Sequence, residues 1–480
     1  MATLEALIEL DRTRPGLAGR LTAALREAIV AGRLAPGSRL PSSRDLAADL
    51  RLSRGVVVEA YEQLVAEGRL VSRRGSGTTV AADQHAAPAI PAIPEITAIT
   101  PITPIPPIPE VLPEHREQGV APLRPGVPDP GMFPRAAWRR AYERALDRAC
   151  DADLDYGDPA GAPRLRAELA GYLGRVRAAR VRPADLVATT GAAQAFSLVA
   201  GALRASGVDH IGMEDPGSVG IRGHLTAHGL RLVPVPVDGD GLDVAALDRT
   251  GVRAVLVTPA HQFPTGVVLA PDRRAALLAW ARRTGGLIVE DDYDAEFRYD
   301  RDPVGCLQGL APDLVAHVGS ASKALAPALR LGWLAVPARW RAAVFAGKAA
   351  ADLCGPVLEQ LAFAELLASG GYDRHLRRLR RVHRRRRDAL VDAVRRYLPA
   401  ARVSGIAAGL HLVLELPDGI DDEALADAAR CAGLGPVPLT RLRLDPTGPP
   451  GLVLGYATHS PDELTRAVRT LADLVVPPGP

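Results

Sequence analysis

Leu287-Ile288-Val289-Glu290-Asp291-Asp292-Tyr293 begins as an apolar, β-prone run and ends in carboxylates and a phenol. Consecutive aliphatic residues without alternation fit a strand covered on both faces, the pattern of a parallel sheet packed under helices. Runs of the same kind recur at 186–189, 211–214, 232–235, 254–258 and 315–318, and helical segments such as 271–283 separate several of them. This order predicts an α/β domain built on a large, mainly parallel sheet. Ligands of such folds bind outside the carboxyl ends of the strands, which is where Asp291 and Tyr293 fall.

The run at 315–318 leads directly into Gly319-Ser320-Ala321-Ser322-Lys323, with Arg330 seven residues further on. Of 58 basic residues only Lys323 and Lys348 are lysine. An amine can lose its proton and form an imine with an aldehyde, whereas a guanidinium stays charged. After the run at 186–189, Thr190-Gly191-Ala192-Ala193-Gln194 opens a helix and aims free backbone N–H groups and the positive helix end outward, a place for a phosphate that Ser320, Ser322 and Arg330 would complete. Pyridoxal 5'-phosphate requires this set: an imine-forming lysine, a carboxylate opposite the pyridinium nitrogen, a donor near the phenolic oxygen and a phosphate cradle.

The length of 480 residues allows two to four compact units at roughly 100–200 residues each. With 47% hydrophobic and 24% charged residues the composition is that of a soluble globular protein, and with aromatics at 4% the core must be aliphatic. Cys150, Cys306, Cys354 and Cys431 lie too far apart to suggest a zinc site or a disulfide framework, which fits a reducing cytoplasm. Glu5, Glu9 and Asp11 occupy the place where an export signal would be basic and then apolar, and no apolar run is long enough to span a bilayer. A cytoplasmic protein with no membrane contact and no metal site is expected. The net charge of +3 resides entirely in residues 1–80, which hold 12 Arg against 9 acidic residues.

That basic segment reads as three helices, at 17–30, 43–50 and 53–67, followed by a hairpin at 70–80, which together make a winged helix-turn-helix. The second helix of such a unit enters the major groove of duplex DNA. Ser53 and Arg54 stand at its start and Arg44 on the helix before it. Arg73 and Arg74 on the wing would meet phosphates or the minor groove, and Gly75 and Gly77 would allow close approach.

Between His85 and Pro113 the chain is a Pro-rich repeat interleaved with Ala, Ile and Thr, an extended spacer. The expected domains are therefore a head at 1–80, a linker at 81–121 and an α/β domain at 122–480, whose last part, from about 373, is a smaller α+β subdomain. A long helix there carries Arg374, Arg377, Arg378, Arg380, Arg381 and Arg384 to Arg387, together with an apolar stripe of Leu376, Leu379, His383 and Leu390. The cluster reads either as a second DNA contact or as the solvated face of a packed helix. His224, His228 and His411 show no metal-ligand spacing and read as structural.

The wording of 31–80 closely resembles the GntR family of bacterial transcription regulators, notably Gly32-Arg33-Leu34, Pro36-Gly37-Ser38-Arg39-Leu40-Pro41-Ser42-Ser43-Arg44, Ser53-Arg54 and Gly75-Ser76-Gly77-Thr78. Residues 122–475 resemble fold-type-I aminotransferases through Tyr156-Gly157-Asp158-Pro159-Ala160-Gly161, Glu214-Asp215-Pro216-Gly217, Thr258-Pro259-Ala260-His261-Gln262-Phe263-Pro264-Thr265-Gly266, Glu290-Asp291-Asp292-Tyr293 and Ser322-Lys323. The fusion is similar to the MocR/GabR subfamily of regulators. The resemblance implies that Lys323 holds pyridoxal phosphate covalently, Asp291 pairs with the ring nitrogen, Tyr293 contacts the ring oxygen, Arg330 and Ser322 grip the phosphate, and the loop from His261 to Gly266 lies beside the ring. It also implies a homodimer.

Two departures bear on chemistry. Ser218 follows Pro-Gly where the subfamily commonly has an aromatic, and Leu452-Val453-Leu454-Gly455-Tyr456 lacks the late Arg that clamps a substrate carboxylate in aminotransferases, leaving Arg441 or Arg443 as substitutes. The expected function is a DNA-binding regulator that senses pyridoxal phosphate or its adduct with an amino acid or amine. The alternative is a working aminotransferase carrying a DNA-binding head.

Overall fold

The computed structural model describes residues 16–73, 77–81, 120–299 and 304–475. The chain divides into two compact units, residues 1–100 with 270–285 and residues 101–269 with 286–480. The Pro-rich repeat lies outside the described residues. Among the described residues no helix is long and apolar enough to cross a membrane.

In the first unit α1 (Leu17–Val30), α2 (Ser43–Asp49) and α3 (Arg54–Ala66) precede an antiparallel hairpin of β1 (Leu70–Arg73) and β2 (Gly77–Val80), paired from Leu70 with Val80 to Arg73 with Gly77. Helical spacing puts Leu21, Leu25, Leu46, Val57 and Leu64 into one core with Leu70 and Val80. Both turn helices start at a serine cap, with Ser42 accepting from Asp45 N–H and Ser53 from Val56 N–H. Buried Glu67 accepts from Arg26 Nε at 3.0 Å and Nη2 at 2.6 Å and from Gln63, tying α1 to the end of α3. The expected winged helix-turn-helix is present.

The second unit begins with α4 (Arg135–Arg148) and α5 (Pro163–Arg177) and then alternates β3 (Leu186–Thr189), α6 (Ala192–Ala205), β4 (His210–Asp215), α7 (Val219–Ala227), β5 (Arg231–Asp238), β6 (Gly241–Leu242), α8 (Val244–Arg249) and β7 (Ala254–Val257). Helix α9 (Pro271–Thr284) falls in the first unit by contacts, and β8 (Leu287–Asp292), β9 (Val315–Ser320) and β10 (Gly332–Ala335) close the sheet. The order is β3-β10-β9-β8-β7-β4-β5-β6. The neighbours from β9 through β5 pair in parallel, as expected, but β10 lies antiparallel between β3 and β9, and β6 pairs antiparallel with β5. Neither β6 nor β10 is among the expected strands. Both sheet faces are covered: Leu186 and Ala188 belong to one core and Val187 to another, where it meets Phe196 and Val199 of α6.

The remainder is α10 (Arg341–Asp352), α11 (Val357–Ala368), α12 (Gly371–Tyr397), β11 (Arg402–Ser404), β12 (His411–Glu415), α13 (Asp422–Cys431), β13 (Val437–Pro438), β14 (Gly451–Gly455) and α14 (Pro461–Leu474). Its four strands form an antiparallel sheet in the order β11-β12-β14-β13. Leu376, Leu379 and Leu390 of α12 join Leu464 and Leu471 of α14 in the core beside it. This is the expected α+β part.

Candidate cofactor site

A cavity of about 320 Å³ opens at the carboxyl ends of the central strands, and Asp291, Tyr293, Ser320, Ser322, Lys323 and Arg330 all line it. Alternation along β8 decides which carboxylates reach it. Asp291 faces the cavity while Glu290 and Asp292 bond to groups on the other side. Burial pushes the Asp291 carboxyl up to about 8, with Asp292 and Asp294 adding to the rise and Lys323 and His317 opposing it. Lys323 donates to Gly126 O, and burial lowers its pKa against the pull of Asp294 and Asp291. An amine so shifted is a readier nucleophile.

The anion cradle is built from backbone. Gly191 caps α6 at φ 98° without a side-chain cap, so the first N–H groups of the helix are free, and Ala192 and Ala193 line the cavity. Arg330 donates to Thr190 O and stands so close that a Cβ on Gly191 would lie 2.8 Å from its Nη2. Only glycine satisfies both the positive φ and that approach. Gly191 thus shapes the cradle from its edge. A buried carboxyl of raised pKa, a lysine of lowered pKa and a glycine-shaped turn beside Arg330 around one cavity fit pyridoxal phosphate.

His261 departs from its expected place. It does not line the cavity; it is buried behind Tyr293, with Nδ1 2.9 Å from Asp294 Oδ2 and 3.0 Å from the Tyr293 hydroxyl. The reason is steric: Gly409 leaves room for the imidazole, since a Cβ there would lie 2.2 Å from His261 Cε1 and 2.6 Å from Asp294 Oδ2. Burial, with the Asp294 and Asp291 charges beside it, holds the Tyr293 phenol well above its usual value. Phe263, from the same loop, lines the cavity instead.

Two histidines read as structural, His224 and His411, also line the cavity. Burial and neighbouring His261 hold His411 down at about 4, and its Nε2 donates to Pro264 O at 3.1 Å. Burial lowers His224, with His228 and Arg330 adding. Glu214 forms another wall, pushed up to about 7 by burial although it accepts from Thr258 N and Oγ1 and from Gln262 Nε2. A carboxylate ending a buried strand, followed by Asp-Pro-Gly, was the sequence signal for that wall.

Neither substitute for the missing clamp reaches the cavity. Arg441 bonds to Glu423 at 3.0 Å and Asp427 at 2.9 Å, and Arg443 donates to Pro449 O at 2.6 Å. Among the described residues Arg330 is the only arginine lining it. Glu290, Cys306 and His317 also come together as a metal-like group, but Glu290 already accepts from Leu307 N–H and Gln308 N–H and contacts His317.

On the head, Arg44 on α2 and Ser53 and Arg54 at the start of α3 are all exposed. Ser53 Oγ accepts from Val56 N at 3.4 Å, which leaves its hydroxyl hydrogen free to donate outward. Gly77 has φ 86° beside the Arg39 guanidinium. Arg73 ends β1, whereas its side chain, Arg74 and Gly75 lie outside the described residues. On α12, Arg374, Arg377, Arg378, Arg381, Arg384 and Arg385 are exposed, whereas Arg380 donates to Glu296 O and Arg386 to Asp129.

Residues 17–80 match the family model described as "Bacterial regulatory proteins, gntR family", and residues 130–471 match "Aminotransferase class I and II". The chain is 34% identical, over 95% of its length and 95% of the relative's, to the HTH-type pyridoxine biosynthesis transcriptional regulator PdxR of Corynebacterium glutamicum. It is 32% identical, over 93% of its length and 91% of the relative's, to the probable rhizopine catabolism regulatory protein MocR of Rhizobium meliloti. Among solved structures it is similar to the α-aminoadipate aminotransferase LysN of Thermus thermophilus, complexed with N-(5'-phosphopyridoxyl)-L-leucine, at TM-score 0.67 and 29% identity over 74% of this chain and 92% of that one. The chain therefore belongs to the MocR/PdxR-type helix-turn-helix transcription regulators, with a GntR head and an aminotransferase class I and II domain.

Proposed function

We propose that this regulator binds pyridoxal 5'-phosphate at Lys323 and that occupancy of the cavity changes the affinity of the head for its operator. The observation that carries the reading is the convergence of Lys323, Asp291 and the Gly191 cradle on one cavity whose only arginine, among the described residues, is at the cradle. The bound cofactor supplies an aldehyde for the lysine and an electron-withdrawing ring. Lys323 Nζ serves as the nucleophile once deprotonated. Asp291, kept protonated near neutrality by burial, would give that proton to the ring nitrogen and pair with it as the carboxylate. Tyr293 would face the ring oxygen, and Arg330 with the N–H groups of α6 would hold the phosphate.

Without a guanidinium for an α-carboxylate, the cavity suits the cofactor itself or its adduct with an amine better than turnover of amino acids. The relative from Corynebacterium glutamicum is named for regulating pyridoxine biosynthesis, and we extend that to this chain: it regulates supply of the cofactor it binds. A homodimer reading two operator half-sites belongs to the same reading. The likeness to α-aminoadipate aminotransferase favours the second reading, a working transaminase.

The test is binding of the chain's own promoter fragment with and without pyridoxal phosphate, for wild type and Lys323→Ala. The expected result is a change of affinity of about tenfold, equivalent to about 1.4 kcal/mol of coupling, in wild type alone. Equal affinities in all four arms contradict the reading, and sustained conversion of an amino acid and a keto acid establishes the transaminase instead.

A further inference from the structure

Lys348 is the only lysine besides Lys323, and it is fully buried. It ion-pairs with Asp352 one turn further along α10. The other oxygen of that carboxylate, Oδ2, accepts from Gln194 Nε2 at 2.9 Å, and Gln194 Oε1 accepts from Thr190 N–H at 3.0 Å. Thr190 is the residue whose carbonyl accepts from Arg330. Both backbone polar groups of the residue preceding Gly191 are thus taken, one by Arg330 and one by a chain of bonds ending at Lys348.

The donor and acceptor types fix the direction of this chain. An ammonium only donates and an ionised carboxylate only accepts, so Asp352 must receive from both neighbours. Gln194 is therefore held with its NH2 toward Asp352 and its oxygen toward Thr190 N–H. The reverse amide orientation would set donor against donor at Thr190 and leave the Asp352 oxygen without one. We propose that Lys348 and Asp352 are positioning residues for the anion cradle: they fix the Gln194 amide, which fixes the Thr190-Gly191 peptide and so the aim of the α6 N–H groups at a phosphate ester. This rests on the cavity taking a phosphorylated ligand and adds which groups outside the cavity set its preference for the phosphate.

The fixed bond directions predict an outcome that mere packing does not. In Asp352→Asn the side chain keeps its size, but Lys348 claims the amide oxygen, so Asn nitrogen faces Gln194 and forces it to flip. In the double variant Lys348→Met/Asp352→Asn nothing claims that oxygen, which is free to accept from Gln194 again.

The experiment measures binding of pyridoxal 5'-phosphate and of unphosphorylated pyridoxal to the full chain by visible absorbance, with inorganic phosphate as competitor. Wild type is expected to favour the phosphate ester. Asp352→Asn and Gln194→Leu should lose about tenfold of that preference, the worth of one partly buried hydrogen bond to a charged group, with pyridoxal affinity unchanged. The double variant should recover most of it. Preference unchanged in both single variants, equal loss for both ligands, or a double variant no better than Asp352→Asn would each overturn the proposal. Absence of any phosphate preference in wild type instead refutes the cofactor reading on which it stands.

Discussion

The two faces of β8 carry the same kind of side chain in opposite states. On one face Asp292 accepts from Arg177 Nε at 2.7 Å and Nη2 at 2.9 Å, and Glu290 accepts from two backbone N–H groups with His317 against it. These bonds outweigh burial, so Glu290 is held below its usual value. On the other face Asp291, buried like both neighbours, is pushed up to about 8. Burial alone distinguishes nothing here. The difference is that the fold supplies donors to the inner face, while Asp291 faces the cavity, which is why the proposal assigns Asp291 to the ligand and its neighbours to the fold.

The largest effect is expected from breaking the supplied face. Arg177→Met leaves Asp292 buried without its partner and should cost about 3–5 kcal/mol, measured by denaturant unfolding. A loss below about 1 kcal/mol would mean that the two faces are not different in kind. Glu290→Gln removes the charge that Leu307 N–H, Gln308 N–H and His317 serve and should cost about 1–3 kcal/mol at neutral pH. Because the folded Glu290 value is depressed, its contribution is present above the unfolded value of about 4.3 and is lost as pH falls below it.

Asp291→Asn should do the reverse. The folded value of Asp291 is raised, so the stability it confers is full below about 3.9 and is lost as pH rises toward about 8. Without ligand the variant should therefore gain on wild type as pH rises through that window, by about 1 kcal/mol or more, read as a growing difference in Tm. A difference independent of pH would show that Asp291 is as well supplied as Glu290.

Legibility in the sequence followed the same division. The caps at Ser42 and Ser53 and the spacing of Leu21, Leu25, Val57 and Leu64 are local signals, so the head was readable element by element. Lys323, Asp291 and the Gly191 turn were readable because strand ends announce where a parallel sheet presents side chains. Strand β10 was not, since Gly332-Trp333-Leu334-Ala335 is short and its identity comes from filling the gap between β3 and β9. His261 was misplaced because the run from Asp291 to Asp294 does not say which carboxylate recruits it; Asp294 does, through space that Gly409 leaves open. Lys348 stood out only by rarity, and its link to Gln194, 154 positions away, exists only once α10 meets α6.

In the proposed function Lys323 and Asp291 serve one ligand. Titration of the full chain with pyridoxal 5'-phosphate, followed by visible absorbance beside Lys323→Ala and Asp291→Asn, tests that shared role most directly. The predicted result is saturation at one equivalent per chain in wild type, no such band in Lys323→Ala, and a weakened, spectrally shifted band in Asp291→Asn. The same spectrum and affinity in all three proteins would contradict the account.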